Sequence, residues 1–195
     1  MAETKQRVLL ALGDSLTAGY GLDHGQAWPE VVQDMLAADG LAVRVVNAGV
    51  SGDTTAGGLA RLDWALQDKP DYAVVALGAN DMLRALSPEL VERNLDAILT
   101  RLGGQGVCTL LAGMHAAPNL GGDYVRNFNA IYPRLAGKHG TYFYPFLLQG
   151  VATDSALNLG DGIHPNATGA RRIAQGLYPL IKEMLAKGCP AGKKT

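Results

Sequence analysis

The chain reads as an α/β protein built on one open parallel sheet with helices on both faces, and two patterns predict it. Short apolar runs alternate with helical stripes from one end to the other, and most of the runs lack strict apolar–polar alternation. Strands covered on both faces by crossover helices have that composition. In addition, glycines and unusual polar residues gather where each run hands over to the next helix. Sheets of this kind form their sites just beyond the carboxyl ends of the strands.

The first strand is expected over 8–12, running into Gly13-Asp14-Ser15-Leu16. A helical stripe follows in Trp28, Val31, Val32, Met35 and Leu36, with Pro29 tolerated in the first turn. The second strand, 43–47, leads into Asn47-Ala48-Gly49-Val50-Ser51-Gly52-Asp53, and Leu59, Leu62 and Leu66 mark the next stripe. The third strand, 72–77, leads into Gly78-Ala79-Asn80-Asp81. Ser87 then offers an N-cap and Pro88 a first helical position, with Val91, Leu95, Ile98 and Leu102 behind them. A fourth strand over 107–111, a helix over 124–139 and a fifth strand over 141–143 complete the sheet. A last helix over 166–185 turns Ile173, Leu177, Ile181 and Met184 to the core, with Pro179 expected to kink it. No linker, repeat or charge block interrupts the alternation. One domain over 1–195 is therefore expected, with about 188–195 as a flexible tail.

Composition narrows the function classes. At 195 residues, 48% hydrophobic and 18% charged, the chain has an ordinary globular make-up. A net charge of −1 argues against a nucleic-acid partner, since neutralising phosphates needs a concentrated basic face. Arg171-Arg172 and Lys193-Lys194 read as solvated surface. No apolar stretch reaches the ~18 residues of a membrane-spanning helix. Two cysteines make no disulfide framework: Cys108 reads as a buried apolar residue and Cys189 as a free thiol. His24 reads as exposed, His139 as a helix-end residue and His115 as a candidate wall of a pocket. None has metal-ligand spacing with a partner.

The segments after the strands carry a hydroxyl, a glycine amide and a carboxamide, and an Asp/His pair precedes the last helix at Asp161-Gly162-Ile163-His164-Pro165. Acyl transfer uses those groups. A serine hydroxyl is a weak nucleophile until a base takes its proton, and histidine is suited to that near neutral pH. A carboxylate fixes the imidazole tautomer, and donors such as the Ser15 and Gly52 N–H groups and the Asn80 amide stabilise an oxyanion. Each residue alone has a plainer reading. Ser15 and Asn80 serve as turn or helix caps, Asp161/His164 as a loop before the final helix, Asp14 as a tie to its own loop, and Asp53 and Asp81 as caps.

Together these blocks resemble the GDSL or SGNH hydrolases. The matches are Gly13-Asp14-Ser15-Leu16, Gly52, Gly78-Ala79-Asn80-Asp81 and Asp161-Gly162-Ile163-His164-Pro165, in order over about 150 residues. Leu12 to Tyr20 and Ser51-Gly52-Asp53-Thr54 are similar to the bacterial multifunctional thioesterase/lysophospholipase/arylesterase branch. The resemblance implies a three-layer flavodoxin-like fold with five parallel strands, and acyl-enzyme chemistry on small or medium chains without metal or cofactor. It implies Ser15, Asp161 and His164 as the catalytic set, with Asp161 preferred over Asp154 by its place in the block, and Ser15, Gly52 and Asn80 as the oxyanion hole. Candidate substrate contacts are Asp14, Ala79, His115, Pro118 and Ile163, the proline lying in a segment, 116–122, that resembles a mobile substrate loop. The expected partner is a small acyl ester or thioester, with no nucleic acid, no stable membrane insertion and the oligomeric state left open. A carbohydrate O-deacetylase with the same residues is the rival enzyme. A flavodoxin-type nucleotide- or flavin-binding module is the rival outside enzymes, although Asp14 would repel an anion after strand one. The expectation for location is a soluble bacterial protein, periplasmic or secreted where a leader has been removed and otherwise cytoplasmic. Gly13 to Thr17 lacks the second glycine of the G-x-S-x-G elbow, which separates the chain from α/β-hydrolases.

Overall fold

The computed structural model describes residues 6–190. In chain order the elements are β1 (Arg7–Gly13), α1 (Ser15–Ala18), α2 (Trp28–Ala38), β2 (Val43–Gly49), α3 (Thr55–Ala60), α4 (Leu62–Ala65) and β3 (Tyr72–Ala76). They continue with α5 (Ala79–Leu83), α6 (Pro88–Gly104), β4 (Cys108–Ala112), α7 (Gly122–His139), β5 (Tyr142–Tyr144) and α8 (Ala167–Lys187). The sheet has the order β2-β1-β3-β4-β5 and every pairing is parallel. This is the flavodoxin-like order, in which the switch point lies between β1 and β3.

Consecutive residues Leu9 to Leu12 are fully buried, as are Val74-Val75 and Leu110-Leu111, so both sheet faces are covered. On one face α2 packs on α8, and Tyr178 of α8 donates its hydroxyl to the Met35 carbonyl at 2.9 Å. On the other, α3 and α7 pack on α6, whose stripe Val91, Leu95, Ile98 and Leu102 is buried. Burying each such side chain contributes on the order of 1.5–3 kcal/mol. Ion pairs from Arg134 to Glu92 and from Lys138 to Asp96 fasten α6 to α7, and the His139 ring lies at hydrogen-bond distance from Asp96.

The helix starts follow local chemistry. Ser87 accepts from the Leu90 N–H ahead of Pro88, and Asn166 accepts from the Thr168 and Gly169 N–H groups at the head of α8. One expectation is corrected. The stripe Leu59, Leu62 and Leu66 is broken into α3, α4 and a 3-10 turn, because Arg61 at the joint leaves helical geometry (φ −98°, ψ 6°) while its guanidinium binds elsewhere. Pro179 lies within a single continuous α8, as Pro133 does within α7. Strand ends move by one or two residues from the expected ranges. The expected tail, 188–195, lies partly outside the described residues; Gly188 closes α8, and Cys189 is exposed.

Candidate active site

Ser15 owes its position to the crowded exit of β1. Gly13 sits between Gly49 and Ala76 in the sheet, and a Cβ there would meet Thr17 Oγ1 at 2.0 Å and the Ala76 carbonyl at 2.9 Å. The chain then turns at once into the single turn α1, where the Asp14 carboxylate accepts from the Leu16 N–H at 3.0 Å. Ser15 is thus the first residue of a helix, with a backbone N–H that no helix carbonyl reaches. Among the described residues, no hydrogen-bond acceptor takes the Ser15 or the Gly52 N–H.

His164 comes to Ser15 from 149 residues away, with Nε2 at 2.9 Å from Oγ. Its Nδ1 lies 2.6 Å from an Asp161 oxygen, and the other Asp161 oxygen accepts from the His164 and Ile163 N–H groups at 3.0 and 2.9 Å. Those contacts, the His164 N–H and ring foremost, hold the Asp161 carboxyl down to about 2, so it stays ionised across the working range. A carboxylate only accepts, so Nδ1 carries the proton and the Nε2 lone pair faces the Ser15 hydroxyl. Asp154, the rival acid, instead accepts from the Ala156 N–H in its own turn. The Tyr20 ring lies 4.5 Å from the His164 ring, a contact that sequence reasoning missed.

Asn80 is brought to the same edge by α5. Its amide donates to the Asp53 carbonyl at 2.9 Å, and Arg84, just past the end of α5, donates to the Gly52 carbonyl at 3.0 Å, so both side chains hold the 52–53 loop. Neither neighbouring aspartate caps its own helix. Asp53 pairs with Arg61, which also donates to the Gly13 carbonyl, and Asp81 accepts from both the backbone and hydroxyl of Thr55. Gly78 has φ 119°, and a Cβ there would run into the Tyr132 hydroxyl at 2.1 Å, which explains the glycine before Ala79-Asn80.

Ser15, Asn80 and His164 open onto a cavity of about 340 Å³. Its walls come from α5 (Ala79, Met82, Leu83), from Met114, His115 and Ala117, and from Phe146, Leu148, Ala152 and Thr153, with Ile163 at one side. Of the candidate substrate contacts, Ala79, His115 and Ile163 line it, His115 stacked on Phe146 with ring centroids 4.3 Å apart. Two do not. Asp14 is 1% exposed and lies beneath the serine, and Pro118 points to solvent outside the cavity, where its neighbour Ala117 supplies the wall. Met82 and Leu83 were missed by sequence reasoning. Leu83 is one of few exposed large apolar residues, but only the fold shows that it faces the serine. Among the described residues no group of His, Cys, Asp or Glu is able to hold a metal, and no helix is long and apolar enough to cross a membrane.

Burial pushes the Asp14 carboxyl up to about 7 against the pull of the backbone N–H groups it accepts from, and its second oxygen finds no partner. The folded chain therefore holds a proton that the unfolded chain releases from about pH 4 upward. Stability contributed by that proton falls as pH rises through about 7 and is then constant. The full displacement is worth roughly 4 kcal/mol. Asp14→Asn keeps the acceptor for Leu16 and removes the titration. The variant's Tm relative to the parent is expected to rise by on the order of 10 °C between pH 4 and pH 8 in thermal melts. A difference that stays constant with pH would mean that Asp14 is ionised in the fold.

Comparison with known proteins places the chain. A family model described as the GDSL-like Lipase/Acylhydrolase family matches residues 11–172. Esterase TesA of Pseudomonas aeruginosa is 39% identical over 180 residues, covering 92% of this chain and 90% of its own. Thioesterase 1/protease 1/lysophospholipase L1 of Escherichia coli is also 39% identical, over 92% of this chain and 81% of its own. The crystal structure of AlinE4, an SGNH-hydrolase family esterase, aligns with a TM-score of 0.78 at 45% identity, covering 95% of this chain and 98% of its own.

Proposed function

The chain belongs to the GDSL-like lipase/acylhydrolase family and is a carboxylic ester hydrolase, and from that premise we propose that Ser15 takes the acyl group of small or medium-chain esters and thioesters. The observation that carries this reading is the relay Asp161–His164–Ser15, with its serine at the mouth of an apolar cavity. In the first half of the reaction, His164 Nε2 takes the hydroxyl proton while Ser15 Oγ bonds to the acyl carbon. The carbonyl oxygen becomes an oxyanion, received by the Ser15 and Gly52 N–H groups and the Asn80 amide. Collapse of that intermediate breaks the ester or thioester bond, and His164 returns its proton to the departing alkoxide or thiolate. Water then attacks the acyl-enzyme by the same proton route and frees the acid.

The lining of the cavity supports an acyl pocket. Met82, Leu83, Met114, Phe146 and Leu148 offer a hydrocarbon chain contact and little hydrogen bonding, which suits a fatty acyl group better than an acetylated sugar. The names of the relatives, esterase and thioesterase, support the same substrate class. A p-nitrophenyl ester series from acetate to laurate tests it. Burying each added methylene contributes about 0.8 kcal/mol. kcat/KM is therefore expected to climb roughly fourfold per methylene from acetate until the cavity is full, and then to level or fall. A series that peaks at acetate would overturn the acyl-pocket assignment and favour the deacetylase.

A further inference from the structure

A second cavity, of about 230 Å³, lies at the end of the sheet away from Ser15. Both cysteines of the chain line it: Cys108, buried as the first residue of β4, and Cys189, exposed just beyond α8. Neither has a part in ester cleavage. Their closeness is enforced by bonds on each side. Tyr142 of β5 donates its hydroxyl to the Gly188 carbonyl at 2.9 Å, and Tyr142 is paired in the sheet with Leu110, two residues along β4 from Cys108. Arg7 of β1 donates to the Leu185 carbonyl at 3.1 Å, which fastens the same end of α8 to the sheet. Cys189 is therefore held one residue past an anchored carbonyl. Burial first, and then the Cys189 side chain across the cavity, push the Cys108 thiol up to about 12.

We propose that Cys108 and Cys189 form an intramolecular disulfide under oxidising conditions, latching the end of α8 to the start of β4. The oxidant is a small-molecule disulfide of the glutathione type. The exposed Cys189 attacks as its thiolate, giving up a proton, and displaces one small thiolate, leaving a mixed disulfide. The Cys108 sulfur, after losing its own proton, then attacks the Cys189 sulfur and displaces the second small thiolate. The protein dithiol loses two electrons, the small disulfide gains them, and the two protons pass to the released thiolates. The new bond closes a long loop, from 108 to 189, and a cross-link over a long loop restricts the unfolded chain most. It forms at the amino end of β4, whereas Ser15 lies at the carboxyl end of β1, so it acts on stability and leaves the ester site untouched.

The test is incubation of the full chain with oxidised glutathione, followed by a thiol count in denaturant and a non-reducing peptide map. The expected result is a fall from two free thiols to none, a single linked peptide pair containing Cys108 and Cys189, and a Tm higher by on the order of 5–10 °C. Reduction should reverse all three. Cys189→Ser should keep its one thiol, show no oxidation-dependent rise in Tm, and hydrolyse esters like the parent. The proposal is overturned by a glutathione adduct that persists on Cys189 with Cys108 still free, by dimers linked through Cys189, or by the same rise in Tm in Cys189→Ser.

Discussion

Replacing Ser15 by alanine is expected to lower kcat on the best p-nitrophenyl ester by a factor of about 10⁶ while leaving the fold intact. The size follows from the way the proposed groups work together. Without the hydroxyl there is no atom for His164 to deprotonate, and the Asp161–His164 pair loses its use for acyl transfer, so one substitution removes the contribution of all three. What remains is the rate enhancement of oxyanion donors and substrate binding alone, typically 10³–10⁴ over water. The fold should be indifferent, because the Ser15 side chain has no structural duty. Asp14, and not Ser15, caps α1, and the partner of the hydroxyl is the His164 ring. The measurement is turnover together with a thermal melt. Loss of activity with an unchanged Tm is the expected pair of results, and a variant retaining a tenth of parent activity would remove Ser15 from the mechanism.

That a serine and a histidine 149 residues apart meet at 2.9 Å was legible as a pairing of sequence blocks, but their geometry was not. The strands were legible because each is covered on both faces and so reads as a short apolar run; Leu9 to Leu12 show why. The stripes of α2, α6 and α8 were legible for the matching reason, one buried face at helical spacing. Failures occur where a side chain answers to something distant in sequence. Leu59, Leu62 and Leu66 have the spacing of one helix, yet Arg61 bends the chain between them to reach Asp53 and the Gly13 carbonyl. Asp14 stands beside Ser15 in sequence, which suggests contact with substrate, but the turn into α1 buries it. Pro118 and Ala117 are neighbours, and only the path of the loop decides which of them faces the cavity. Tyr20, Met82 and Leu83 carry no mark in the sequence that separates them from other apolar residues.

Asn80→Ala is expected to lower kcat by 10²–10³ with KM changed no more than about threefold, the signature of a donor that acts in the transition state. A carboxamide has two N–H bonds. One Asn80 hydrogen goes to the Asp53 carbonyl at 2.9 Å, which fixes the plane of the amide before substrate arrives, and the other remains for an oxyanion beside Ser15. A ground-state carbonyl binds such a donor weakly, whereas the charged oxygen of the tetrahedral intermediate binds it strongly, so the loss falls on kcat. Removing one preorganised donor of this kind costs about 3–4 kcal/mol. The alternative is that Asn80 matters only as a brace for the 52–53 loop. Alanine would then release that loop from α5 on one side, with the Arg84 bond to the Gly52 carbonyl still in place. A loosened loop misplaces the Gly52 N–H, and it should also lower Tm and respond to Arg84→Ala in the same direction. Steady-state kinetics and melts on both variants separate the two. A fall in kcat confined to Asn80→Ala, at unchanged Tm, fits the oxyanion role. An effect confined to KM, or shared equally by Arg84→Ala, assigns Asn80 to the loop.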